Sequence, residues 1–380
     1  VGSELGSIHL HETAAPMTSQ VPTLAHHFVA LEDPRTGNAT LHRFQDILTI
    51  ALCAAIAGAD TWTAVARFAH AKKRWLEGLL GLPNGVPSHD TFSRLFSLID
   101  AQAFERLFAD WTSSACTLTE GEVLALDGKV LRRSHDEQAG RGALTLVSAW
   151  ASQNRMVLAQ APVEEGSNEI TALPRLLDLL CITGCIVTID AAGTQTEIAG
   201  QIVEAGADYV LALKDNQPLL RQDVSEYFEQ ACAASLRESG AQYHESVDGG
   251  HGRVEVRRCW AFDDVDWLHR ATEWAGLRSF AVLESERHIG ERVSTQRRYF
   301  ISSLPADASR VLSSVRSHWH VENRMHWVLD VAFSEDQNRV RGRQGAQNAA
   351  LLRRVALNVL NADGAKDSLL GKRQRAGWDE

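Results

Sequence analysis

Hydrophobic residues follow two rhythms along this chain. From Leu41 to about Cys116 they recur at spacings of three and four, the mark of helices with one apolar face. The first run, HRFQDILTIALCAAIAG, ends at Gly58. The second, TWTAVARFAHAKKRWLEGLLGL, begins behind Thr61 as N-cap. The third, GVPSHDTFSRLFSLID, begins behind Ser88 and carries Phe92, Leu95, Phe96 and Ile99 as its apolar stripe. Two helices, a short Gly/Pro connection and a Ser-capped helix suit a helix-turn-helix-like DNA reader, with His89, Asp90, Thr91 and Arg94 near the reading end. An all-α accessory bundle would look the same.

From Gly121 the rhythm changes. VLALD, ALTLVSAW and RMVLAQAPV are short apolar runs separated by turn-like segments, and predict three strands. EITALPRLLDLL predicts a helix kinked or started late at Pro174. CIVTID, TQTEIAGQIVEAGA and DYVLALK then predict strand, helix and strand. The order β-β-β-α-β-α-β is that of a ribonuclease-H-like α/β core, whereas a plain doubly wound fold would not open with three successive strands. The missing last core helix is supplied by Ser309–Leu329, after a largely β insertion that includes GGHGRVEVRRCWAF, RSFAVLESER and RRYFISSL. The expected organisation is a flexible arm (1–38), an all-α N-terminal domain for DNA ends (39–118), a core in two pieces (119–216 and 303–362) around the insertion (217–302), and a tail (363–380).

Composition narrows the function classes. The 380 residues are 44% hydrophobic and 23% charged, as in ordinary globular proteins. No run reaches the ~18 apolar residues of a membrane helix, and no signal peptide is evident, so a cytosolic protein with no membrane partner is expected. Residues 1–16 precede the first methionine, Met17, and read as an upstream extension or a vector remnant. Six cysteines without CxxC spacing fit a reducing compartment and small core residues better than a zinc site from Cys181 and Cys185. The net charge of −10 argues against a nucleic-acid coat, but it is unevenly spread. Residues 301–380 hold 12 basic and 9 acidic side chains, and Arg339, Arg341, Arg343, Arg353 and Arg354 form a run with no acid between them.

Three acids stand at places suited to catalysis. Asp127 and Asp190 each close an apolar strand, where open α/β sheets form their active crevices. On the helix Ser309–Leu329, positions 312, 315, 319, 322, 326 and 329 form one stripe, with Glu322 and His326 in the middle of an otherwise apolar face. A carboxylate there is costly unless it is paired or binds a metal, and Arg316 or Arg324 could pair it. Three converging carboxylates suit Mg²⁺, or Mn²⁺ in its place, with two ions sharing Asp127 and flanked by Asp190 and Glu322. That pair of ions suits phosphoryl transfer. Asp330, Glu335 and Asp336 are rival third acids.

The motifs ALDGKVLRRS, EEGSNEITALPRLL, TIDAAGTQTEIA, DYVLALKDNQ, GHGRVEVR, HWHVENRMHWVLDVAFSEDQNRVR and LLRRVALNVL, with DILTIALCAAIAGADTW and GLPNGVPSHDTFSRLFSLID before them, give the chain its family likeness. It resembles the bacterial insertion-sequence transposases of the DDE type, and within them the ISAs group with the H-repeat-associated proteins, from about Asp33 to the C-terminus. The resemblance implies Asp127, Asp190 and Glu322 as the catalytic, metal-binding triad. It implies Mg²⁺-dependent cleavage at element ends, 3′-OH strand transfer into target DNA, and a homodimer that pairs two ends. The superfamily's Tyr-Arg-Glu-Lys signature is altered: Val315, His318 and Leu329 stand at the Tyr, Arg and Lys positions, while Trp319 and Glu322 keep the Trp-x-x-Glu part. The phosphate roles then fall to His318, Arg316 and Arg324, with Asn323 alongside. A nuclease without strand transfer, or a silent DNA-binding derivative, are the alternatives.

Further DNA contacts are expected from Lys129, Arg132 and Arg133 after the first Asp, from Lys214 and Asn216 after the fifth strand, and from His251 and Arg253 in a glycine-rich turn, with Arg257 and Arg258 close behind. The C-terminal arginine run is expected at phosphates. Trp319 and Trp327 are expected in the core.

Overall fold

The structure is a computed structural model that describes residues 24–379, except Gln138, Ser235, Arg237 and His251. His251 and the first 23 residues of the expected arm therefore lie outside the described residues. Phe28 and Leu31, within the expected arm, are buried in the helical core.

The three- and four-residue spacing resolves into α1 (Leu24–Phe28), α2 (Phe44–Ile56), α3 (Trp62–Ala71), α4 (Lys73–Leu80), α5 (His89–Leu98) and α6 (Ala101–Ala115). Thr61 and Ser88 cap α3 and α5 by accepting the amides of Ala64 and Thr91, as their positions predict. The strand-like runs become β1 (Val123–Leu131), β2 (Leu144–Ala151) and β3 (Met156–Pro162). They are followed by α7 (Glu169–Asp178), β4 (Ile186–Ile189), α8 (Thr196–Glu204) and β5 (Asp208–Leu213). Segment 217–302 opens with a helix that the sequence reading did not separate, α9 (Pro218–Ala234). It continues as β6 (Gln242–Gly250), β7 (Arg253–Phe262), β8 (Ser279–Ile289) and β9 (Arg292–Ser302).

These strands form one sheet of nine, in the order β3-β2-β1-β4-β5-β9-β8-β7-β6. The register pairs Leu126 with Ile189 and Ile189 with Leu211 in parallel, and Leu211 with Ile301 antiparallel. The insertion thus lengthens the core sheet instead of building a second one. Alternation along β1 sends Leu124 and Leu126 into the cluster shared with α7 and α8, and Ala125 to the opposite face.

The expected single helix Ser309–Leu329 is interrupted. It runs as α10 (Ala308–His320), a π-helical stretch Val321–His326 and α11 (Trp327–Ala332). A π turn adds a residue and rotates the following side chains. Val321, Met325 and Leu329 are buried, and Trp319 and Trp327, expected inside, are 45% and 61% exposed.

α12 (Arg343–Ala362) joins the two halves. Its Leu351, Val355 and Leu360 share one apolar cluster with Leu48, Phe96 and Phe104 of the N-terminal helices and with Ala125, Trp150 and Val157 of the sheet. The expected tail contains α13 (Leu369–Trp378). Its buried Arg373 donates to the carbonyls of Ala55 and Ala332, pairs with Asp60 at 2.8 Å and lies over the Phe333 ring at 4.1 Å. Arg373→Ala leaves two buried carbonyls unmatched. It is expected to lower unfolding stability by about 2–4 kcal/mol in denaturant titrations, whereas the exposed Lys366→Ala should change it by less than about 0.5 kcal/mol.

Candidate active site

Asp127 does not end its strand: β1 runs on to Leu131, with Asp127 opposite Ser148 of β2. What ends at this level is the parallel pairing with β4, whose last pair is Leu126 with Ile189. Asp190 is the next residue of that neighbour, so the register itself sets the two aspartates side by side. The Asp190 carboxylate accepts the Ala191 amide at 2.6 Å and Lys214 Nζ at 3.2 Å. Lys214 comes from the end of β5, the next strand across.

The third acid arrives from the opposite wall. Glu322 lies in the π-helical stretch, exposed, and lines with Asp127, Asp190, Lys214, Arg298, His318 and Trp319 a cleft of about 500 Å³. Among the described residues no three His, Cys, Asp or Glu side chains close on one point as they stand. All three acids line this one cleft.

Their electrostatics fit that arrangement. Burial pushes the Asp127 carboxyl up to about 7, reinforced by the negative charges of Glu169, Glu322 and Asp190. Burial and Asp190 raise Glu322. For Asp190 the burial cost is outweighed by the Ala191 amide and Lys214, which hold it below the usual carboxylate range. Two imidazoles stand among these acids in neutral form. His326 Nδ1 is 3.4 Å from Asp127 Oδ2, and burial, with Arg354 and Lys129 nearby, lowers its pKa to about 3. His318 Nδ1 meets Thr188 Oγ1 at 3.0 Å, and burial lowers it to about 4 despite Asp190.

The rival third acids are already engaged. Lys129 Nζ reaches Asp330 at 2.7 Å and Asp336 at 3.7 Å, and Glu335 is buried between Arg353 (3.1 Å) and Arg354 (3.0 Å).

A family model described as "Transposase DDE domain" matches residues 118–359, and one described as "DDE_Tnp_1-associated" matches residues 25–112. The chain belongs to the DDE transposase family. It is 36% identical to "Putative transposase YncI" of Escherichia coli O157:H7, over 90% of this chain and 87% of that one. It is 35% identical to "H repeat-associated putative transposase YhhI" of Escherichia coli strain K12, over 95% and 96%. It is also 46% identical to "Uncharacterized protein in dhlA 3'region" of Xanthobacter autotrophicus, over 77% of this chain and 98% of that one. Among the described residues of this DDE transposase, no helix is long and apolar enough to cross a membrane.

The residues expected at DNA divide into several groups. Lys129 is buried in its ion pairs, so the expected phosphate contact is corrected to a structural one. Arg353 and Arg354 are likewise removed from the basic run by Glu335, a counter-charge 18 and 19 residues away. Arg343 donates to the Val163 carbonyl. Asn216 braces the turn after Asp190, donating to the carbonyls of Ala191 and Thr194. Burial keeps the His318 imidazole neutral, its pKa lowered to about 4. Arg257 is matched by Asp248 on the neighbouring β6 and by Glu255 on its own strand, and Arg258 by Glu245 and Glu286 on neighbouring strands.

Other residues stay at the surface. Arg132 is exposed, with Asp336 at 3.3 Å, and Arg133 is exposed. Arg253, Arg316 and Asn323 line a second cleft of about 660 Å³, which meets the first at Arg298 and Trp319. Arg316 also reaches Asp248 at 2.9 Å, and Arg324 is half-buried in the π-helical stretch. His89, Arg339 and Arg341 line one pocket between the N-terminal helices and the segment before α12, and Arg94 is exposed. Sequence reasoning gave no role to Glu169 or to the contact of His326 with Asp127. A glycine directly after a strand aspartate was the available signal for the first.

Proposed function

We propose that this chain nicks DNA at the ends of an insertion sequence and joins the freed 3′-OH to target DNA, using Asp127, Asp190 and Glu322 on a ribonuclease-H-like core. The observation that carries this reading is that three acids from β1, the end of β4 and the π-helical stretch line one cleft, inside a chain of the DDE transposase family. Their donor set is all oxygen, and their mutual repulsion calls for a hard cation. Mg²⁺, with Mn²⁺ as substitute, fits that donor set: Asp127 and Asp190 would hold one ion, and Asp127 with Glu322 a second. Ions held there would supply activation of the attacking oxygen and stabilisation of the leaving 3′ oxygen.

The chain's own groups do the rest. Lys214 keeps Asp190 ionised and aimed into the cleft. Asn216 fixes the turn behind it, and neutral His326 contacts Asp127 without cancelling its charge. Arg253, Arg298 and Arg316 supply positive charge along the adjoining cleft, a path for a phosphate backbone leading to the acids. Exposed Trp319 stands where the two clefts meet, and could flank a base. A homodimer would hold two ends together.

The test is incubation with linear DNA carrying the element's ends, with Mg²⁺ and with EDTA, mapping nicks and joined products. Supplying a pre-cleaved 3′-OH end separates the alternatives: joined product is expected, and nicks without joining would identify a nuclease. Binding is expected to weaken steeply between 50 and 200 mM salt, by about tenfold or more.

A further inference from the structure

The motif EEGSNEITALPRLL has one acid that the three-carboxylate reading leaves without work. Glu169 is the first residue of α7, which follows the Asn168 cap that accepts the Ile170 amide. An acid there suits the positive end of a helix, and that alone would be a sufficient reason for it. Its surroundings say more.

The Glu169 carboxylate lies directly over Gly128, the neighbour of Asp127. A Cβ built on Gly128 would stand 2.0 Å from Glu169 Oε1 and 2.2 Å from its Cδ. Gly128 is not among the glycines at positive φ, so its backbone does not ask for glycine. What asks for it is the carboxylate occupying the place of a side chain. A β-strand interior otherwise disfavours glycine; with no Cβ at 128 the Glu169 carboxylate can lie against the strand, and a Cβ there would push that flexible end away from Asp127.

The carboxylate is half-buried, and among the described residues no cation or hydrogen-bond donor meets it. Glu105, a buried acid of the neighbouring α6, has Arg175 at 2.5 Å. Glu169 has instead the negative charges of Asp127 and Asp190 around it. An unpartnered carboxylate brought to two others by a glycine made for it is unfavourable unless a cation is shared.

We propose that Glu169 is a fourth carboxylate of the metal site, reaching the same divalent ion as Asp127 from the side of α7. This rests on the metal-dependent reading above.

The test is Mn²⁺ binding by the full chain, followed by electron paramagnetic resonance without DNA, in wild type, Glu169→Gln, Glu169→Asp and Asp127→Asn. The expected result is a tenfold or greater loss of Mn²⁺ affinity in Glu169→Gln and in Glu169→Asp, whose carboxylate is one methylene too short. Nicking by Glu169→Gln should be partly restored by raised Mn²⁺. Wild-type Mn²⁺ binding by both Glu169 variants, with binding lost in Asp127→Asn, overturns the fourth carboxylate and leaves the metal site standing. Loss in Gln with full retention in Asp also overturns it, reducing Glu169 to a helix-terminal charge. Undiminished binding in Asp127→Asn overturns the metal site itself. Should the Glu169 variants not fold, Gly128→Ala displaces the carboxylate without removing any acid, and the same loss of Mn²⁺ affinity is expected. Unchanged affinity there overturns the proposal.

Discussion

Asp127→Asn is expected to cut nicking by about 1,000-fold or more and, in metal-free buffer, to raise the thermal midpoint. The two effects have one cause. Asp127 is largely enclosed and surrounded by Glu169, Glu322 and Asp190, so burial and repulsion both disfavour its charged form. Asparagine keeps the shape and removes the charge, which relieves the apo protein. It also removes a cation ligand worth several kcal/mol in the transition state, and about 4 kcal/mol corresponds to that rate loss. The measurement is paired: melting with EDTA, and nicking of end-containing DNA with Mg²⁺. A purely structural Asp127 would give a lower midpoint instead. Glu322→Ala should show the same loss of nicking with end binding retained, and normal nicking by that variant would remove Glu322 from the triad.

Glu335→Gln is expected to be the most destabilising single change near the site. Glu335 and Arg354 are both fully enclosed, and Arg353 nearly so. Burial alone would raise the Glu335 pKa, but Arg354 and Arg353 hold it down to about 2. Neutralising the acid leaves two buried guanidinium groups beside Lys129, a loss of about 3–5 kcal/mol measurable by denaturant unfolding. The acid limb of the stability profile carries the same signature. With the folded pKa below the ordinary 4.5, the contribution is complete above pH 4.5 and disappears as the pH falls toward 2. The Gln variant should show a flatter profile across that window.

The elements were legible because two clear periodicities encode them, and Asp127 and Asp190 stood out because charge interrupts apolar runs, although β1 continues past Asp127. The third acid was found by a stripe that assumed an unbroken helix. The π-helical stretch breaks that helix after His320, and Trp319, the stripe position just before the break, is exposed, as is Trp327 beyond it. Nothing local in VENRMH announces that break. Charge pairing across long sequence separations was equally hidden. The five-arginine run is acid-free along the chain, yet Glu335 lies against two of its members in space. Lys129 looked like a phosphate ligand until Asp330 and Asp336, about 200 residues on, were seen to hold it. Glu169 was missed because its neighbour is set by the packing of α7 over β1.

The two ends of the described chain meet in one apolar cluster, where α12 fills the space between the first helices and the sheet and α13 locks onto α2. During synthesis, then, the inner faces of α2, α5 and α6 lack their packing partner until α12 has left the ribosome. Folding waits on contacts between residues some 250 positions apart, as between Asn348 and the Phe96 carbonyl, and such closure is slow. Nascent chains cut short before Arg343, which lack α12, should be trapped by chaperones or degraded.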